Sequence, residues 1–123
     1  MSPPVDASAA EQHFEFDQGD DETLKITREQ SDGTALDITN YTFWLTIKRS
    51  PRDSDTNAVV QLKVTSHTDP VNGKTEIDLK KADTESLSGS YFYDLQEQTS
   101  GGDIQTLLYG RLYFREDITD TTS

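Results

Sequence analysis

The chain has 123 residues, no cysteine, and 11 Lys and Arg against 23 Asp and Glu, a formal charge of -12 at pH 7. Its length suits one domain with a single modest hydrophobic core, and its charge repels phosphate backbones and anionic membrane surfaces, so neither nucleic acid nor a membrane is an expected partner. Without cysteine there is no disulfide framework and no thiol nucleophile.

Only 32% of residues are hydrophobic, yet they fall into short periodic runs, which a disordered polar chain lacks. No apolar run approaches the roughly 20 residues that span a bilayer. The opening MSPPVDASAAEQ lacks the basic and apolar regions of a secretory signal, so assembly in the cytoplasm is expected. The acids are mostly Asp and are scattered along the whole chain. Such a surface suits a high-salt environment, where screening acts within roughly 3 Å at 1 M.

Residues 1–12, rich in Pro, Ala and Ser, read as a flexible N-terminal arm that orders against a neighbour. A first strand follows at His13 to Asp17, with Phe14 and Phe16 on one face, and QGDDE makes the turn. Leu24, Ile26 and Arg28 then alternate with Thr23, Lys25 and Thr27 in a second strand that closes at SDG, where Gly33 can take the positive φ of an Asp-Gly turn. In the strand from Tyr41 to Arg49, Phe43, Leu45 and Ile47 share one face, leaving Trp44, Thr46 and Lys48 to point out of the core. Val60, Leu62 and Val64 mark the next strand, and Thr75, Ile77 and Leu79 another. The segment KADTESLSG reads as one helical turn whose Leu87 plugs the core before Gly89 reverses the chain. Tyr91, Tyr93 and Leu95 alternate with Phe92 and Asp94, the Ser100-Gly101-Gly102 run signals a hairpin, and a long last strand places Tyr109, Arg111, Tyr113 and Arg115 on one face.

Seven strands without a helical crossover predict an all-β fold, an immunoglobulin-like antiparallel β-sandwich over residues 13–118, with a short tail at 119–123. A small barrel is the second architecture.

The order of these pieces resembles the N-terminal domain of tailed-phage baseplate upper proteins and related single-domain virion proteins. The residues that carry the resemblance are QGDDETLKI (18–26), DGTALDITNYTFWLTIKR (32–49), NGKTEIDLKKADTESLSGSYFYDLQ (72–96) and LLYGRLYF (107–114). Asn40 stands where that family usually has Gly, and Ile38 where it has Leu; both keep the ramp's geometry. The resemblance implies a non-enzymatic structural component of a tailed virus particle. It would be a docking, adaptor or decoration domain of baseplate, tail or capsid, whose partners are other virion proteins and further copies in a symmetric array. The acidic surface adds a haloarchaeal host. The long C-terminal extension that helps carry receptor-binding parts in that family is missing from this sequence.

Candidate chemistry is sparse. Asp53, Asp55 and Asn57 match the opening of a calcium loop, but Ala58 stands at its glycine position and Val64 at its bidentate glutamate position, so a solvated loop is the expectation. Asp17, Asp20, Asp21 and Glu22 form an acidic turn. Two histidines, His13 and His67, supply no zinc spacing, no nucleophile elbow is present, and no cofactor is expected. The interface candidates are Trp44, Tyr109, Arg111, Tyr113 and Arg115, with the two arginines expected to pair with carboxylates of a neighbouring subunit. Tyr91, Phe92, Tyr93, Tyr109 and Tyr113 also allow a second function, a carbohydrate-binding host-attachment module with an exposed aromatic platform.

Overall fold

A computed structural model describes residues 10–116 of the chain. The expectations for residues 1–9 and for the tail at 119–123 lie outside the described residues. Eight strands form: β1 (Ala10–Glu11), β2 (Phe14–Asp17), β3 (Glu22–Thr27), β4 (Thr42–Lys48), β5 (Val60–Val64), β6 (Lys74–Leu79), β7 (Gly89–Gln98) and β8 (Ile104–Arg115). One short helix, α1 (Lys81–Thr84), stands where the single turn was predicted.

The large sheet runs β1-β8-β7-β4-β5, with β2 also on β8, and the small sheet is the antiparallel pair β3-β6. The alternation seen in the sequence decides which side of each strand is dry. Phe43, Leu45 and Ile47 of β4, Tyr91, Tyr93 and Leu95 of β7, and Leu112 and Phe114 of β8 are buried, and they meet Ile77 and Leu79 of β6 in one core. Ile38 and Leu87 close it from the connections, as buried pegs. Leu24 and Ile26 of β3 pack on it from the small sheet. The result is an all-β sandwich, as the sequence predicts, and truncating a ring such as Phe43 or Phe114 to Ala removes about 3–5 kcal/mol.

One feature of the pairing departs from expectation. β1 and β2 run parallel to β8, with Ala10 opposite Leu108 and Phe14 opposite Leu112, so the sheet is not antiparallel throughout. A parallel pair needs a long connection between its strands, and here the rest of the domain supplies it. Ala10 and Glu11, expected within the loose arm, are paired in this way.

The break between β1 and β2 has a local cause. Gln12 turns its carbonyl inward, where the phenol of Tyr93 donates to it at 2.7 Å, and its N–H still reaches Tyr109 O at 2.9 Å. The Arg111 N–H donates instead to His13 Nδ1 at 3.0 Å, so an imidazole completes the ladder. Gly110 makes room for this: a Cβ there would lie 2.2 Å from Gln12 O.

Small hydrogen-bonded turns shape the ramp before β4. Asp32 Oδ1 accepts from the Thr34 N–H and hydroxyl, and Asp37 Oδ1 accepts from the Thr39 N–H and hydroxyl. These donors hold both carboxyls below the usual carboxylate range, the hydroxyl contributing most in each case.

Candidate functional site: the outer face of the large sheet

Since β4, β7 and β8 turn alternate residues inward, their remaining residues form a second surface on the far side of the large sheet. The strand registers place these residues in rows. Glu11, Tyr109, Asp94, Thr46 and Gln61 follow one another across the sheet; Arg111, Phe92 and Lys48 form the next row; Glu15, Tyr113 and Ser90 the third. On the other side of the first row, Gln96 faces Trp44 and Trp44 faces Lys63. All five interface candidates, Trp44, Tyr109, Arg111, Tyr113 and Arg115, therefore lie on one face.

Tyr109 and Tyr113 are 43% and 44% exposed, the most exposed aromatic rings among the described residues. Tyr91 and Tyr93, from the same predicted aromatic set, are core residues instead, and Phe92 is half-buried on the outer face. The cations of this face are interleaved with its rings. Arg111 lies 5.4 Å from the Phe92 centroid and Lys63 lies 5.9 Å from that of Trp44, close enough for cation–π attraction.

Arg115 differs from its expected role. Its Nε donates to Asp17 Oδ1 at 2.8 Å and its Nη1 to Glu15 Oε1 at 3.0 Å, so it binds β2 to β8 within the chain. These carboxylates raise its pKa, Asp17 first. Arg111 keeps no such partner: among the described residues no carboxylate comes within ion-pair distance of it. Of the two arginines, Arg111 is the one left available to a neighbour.

A recess of about 330 Å³ opens between the first two rows, lined by Glu11, Lys48, Phe92, Asp94, Tyr109 and Arg111 among others. Sequence reasoning missed Asp94 as a site residue. Part of its signal was present, because a carboxylate stands in the outward parity of an aromatic strand, two residues from Phe92. Burial pushes the Asp94 carboxyl up, against the opposing pull of Lys48.

The other face of the molecule contrasts with this one. The outward residues of the small sheet are Thr23, Lys25 and Thr27 against Asp78, Glu76 and Lys74, a polar surface without a ring.

The predicted metal candidates have other duties. Asp53 Oδ2 accepts from the Ser50 N–H at 3.2 Å, Asp55 Oδ1 meets Lys48 Nζ at 2.9 Å, and Asp55–Asn57 forms a 3-10 turn. Among the described residues no group of three or more His, Asp or Glu is placed to hold an ion. In the acidic turn, Asp17 is engaged by Arg115 and Asp21 Oδ1 accepts from the Lys81 N–H at the start of α1. His67 is a structural residue: its Nε2 donates to Tyr41 O at 2.8 Å, which leaves Nδ1 to pair with the Thr75 hydroxyl at 2.8 Å.

Fold and face together define an all-β sandwich with a mixed aromatic and charged sheet surface. Neither a family model nor a curated protein matches the chain. Among solved structures it is similar to the PmoD soluble domain from Methylocystis sp. ATCC 49242 (Rockwell), at 11% identity and a TM-score of 0.47, over 83% of this chain and 76% of that one.

Proposed function

We propose that the chain is a non-enzymatic docking domain of a tailed virus particle, an adaptor or decoration protein of baseplate, tail or capsid that contacts other virion proteins through the outer face of its large sheet. The observation that carries this reading is the gathering of Trp44, Tyr109, Arg111 and Tyr113 on that face. Aromatic and Arg side chains are the residues that anchor protein interfaces. Four of the 11 cations, Lys48, Lys63, Arg111 and Arg115, also stand there. On a chain of charge -12, these cations offset the carboxylates of the same face, Glu11, Glu15, Asp17 and Asp94, and so lower its repulsion of an acidic neighbour. The viral setting rests on the sequence resemblance, and the halophilic host on the density of carboxylates. Copies repeated by particle symmetry would each present the same face.

Incorporation into particles tests the reading. Arg111→Glu should be excluded from purified particles while unfolding as cooperatively as the parent; normal incorporation overturns the assignment of this face.

A second reading, glycan binding for host attachment, is favoured by one observation, the ring of Tyr109 and the face of Phe92 lining the recess. A sugar titration followed through Trp44 fluorescence separates the two, since docking alone predicts no response.

A further inference from the structure

The recess contains a group that the fold leaves unsatisfied. Asp94 is half-buried between Tyr109 on β8 and Thr46 on β4, and among the described residues no N–H or O–H donates to its carboxylate. Its potential partners are committed elsewhere. Lys48 is held by Asp55 at 2.9 Å, and the Arg111 guanidinium lies over Phe92. Removing a carboxylate from water without giving it donors is costly, and the group that relieves that cost is a donor-rich cation.

We propose that this recess receives a basic side chain of a partner protein, an arginine or lysine whose charged head pairs with Asp94 while its stem lies against Tyr109 and Phe92. The inference rests on the docking reading and names the chemistry of the partner's anchor. Three features of the site select this class. Glu11 on the rim, Asp94 and the Asp55 that holds Lys48 set three carboxylates against the two cations Lys48 and Arg111, so a cation is favoured over an anion, and an uncharged apolar group would leave Asp94 further from water. The exposed ring of Tyr109 offers a face on which a guanidinium stacks, as Arg111 already does on Phe92. The volume of about 330 Å³ suits one long side chain, and the chain's charge of -12 draws cations toward it.

Backbone-amide NMR titration with Nα-acetyl-arginine amide, at fixed ionic strength and neutral pH, tests the site directly. Saturable shifts centred on Thr46, Asp94 and Tyr109, absent with Nα-acetyl-norleucine amide and weakened roughly tenfold in Asp94→Asn, are expected, since loss of one charge-assisted pair is worth about that factor. An equal response in Asp94→Asn, or no saturation, overturns the proposal. Particle incorporation distinguishes it from the reading beneath it. If Arg111→Glu is excluded but folded Asp94→Asn enters normally, the face docks and the recess is not its anchor. If both variants enter normally, the docking reading falls and this proposal with it. Exclusion of both, together with the NMR response, supports the anchor.

Discussion

Arg28 and Glu97 fasten the two sheets of the sandwich to each other. Arg28 follows β3 of the small sheet, and its Nε and Nη2 donate to the two carboxylate oxygens of Glu97 on β7 at 2.6 and 3.3 Å. Glu97 is only 2% exposed. Beside the pair, burial and the charge of Glu97 both raise the pKa of the Tyr41 phenol. A buried pair is weak evidence of net stabilisation, but removing one partner strands the other charge. Arg28→Met should therefore cost about 3–5 kcal/mol in denaturant unfolding. The double change Arg28→Met with Glu97→Leu should recover most of that loss; if it does not, the pair's contribution is geometric and not electrostatic.

Two glycines with similar φ should respond differently to alanine. Gly33 has φ +88 with nothing within 4 Å of an added Cβ, so Gly33→Ala meets only the left-handed backbone penalty, about 1–2 kcal/mol. Gly73 has φ +74 and lies against backbone, where a Cβ would be 2.3 Å from Arg28 O and 2.8 Å from Leu36 O. Gly73→Ala should cost clearly more, roughly 3 kcal/mol or above, because backbone cannot yield as a side chain does. Equal shifts in the urea midpoint would show that the clash relaxes freely.

Much of this architecture was legible strand by strand, because a period of two assigns each residue to one face without reference to its partners. Phe43, Leu45 and Ile47 were placed inward and Trp44 outward by that rule alone, and the same parity carried Arg28 and Glu97 inward, a signal for the clamp that went unread. What parity cannot supply is the neighbour of a strand or its direction. The parallel pairing of β1 and β2 with β8 depends on residues about 100 positions apart, as in Asp17 with Arg115, and no local pattern encodes it. The assembly of Asp94, Tyr109 and Lys48 into one recess needed the registers of three strands together.

Stability should depend on pH with opposite signs at different groups. Burial pushes the Tyr93 phenol up to about 12. Its folded pKa is thus above the unfolded value of about 10. Its contribution is fully present below the unfolded pKa and lost as pH rises toward 12. Tyr93→Phe should flatten that alkaline limb and cost about 1 kcal/mol at neutral pH by leaving Gln12 O without its donor. On the acid side, the lowered carboxyls of Asp32 and Asp37 contribute stability above the usual carboxylate range and lose it as pH falls below that range. Asp94 runs the other way: its raised pKa means that stability increases as pH falls through it. Asp94→Asn should abolish that increase while leaving the acid loss, in unfolding curves taken across the acid range.

Net charge gives a salt prediction. At -12 the folded chain repels itself more than the expanded one, and screening shortens that repulsion from about 10 Å at 0.1 M to roughly 3 Å at 1 M. The thermal midpoint should rise between 0.1 and 1 M KCl, most steeply at the lower end. A midpoint independent of salt would remove the argument for a brine-adapted surface.

The junction of β1 and β2 supplies a last test, because three residues there perform separable tasks. Gly110→Ala would drive a Cβ into Gln12 O and push the N-terminal strands off β8. His13→Ala would leave the geometry and remove only the acceptor of the Arg111 N–H. Hydrogen exchange should therefore lose protection at both the Gln12 and Arg111 amides in Gly110→Ala, but at Arg111 alone in His13→Ala, with a global cost of about 1–2 kcal/mol for the unpaired donor. Arg111 exchange left unchanged in His13→Ala would mean that the imidazole does not hold this ladder position.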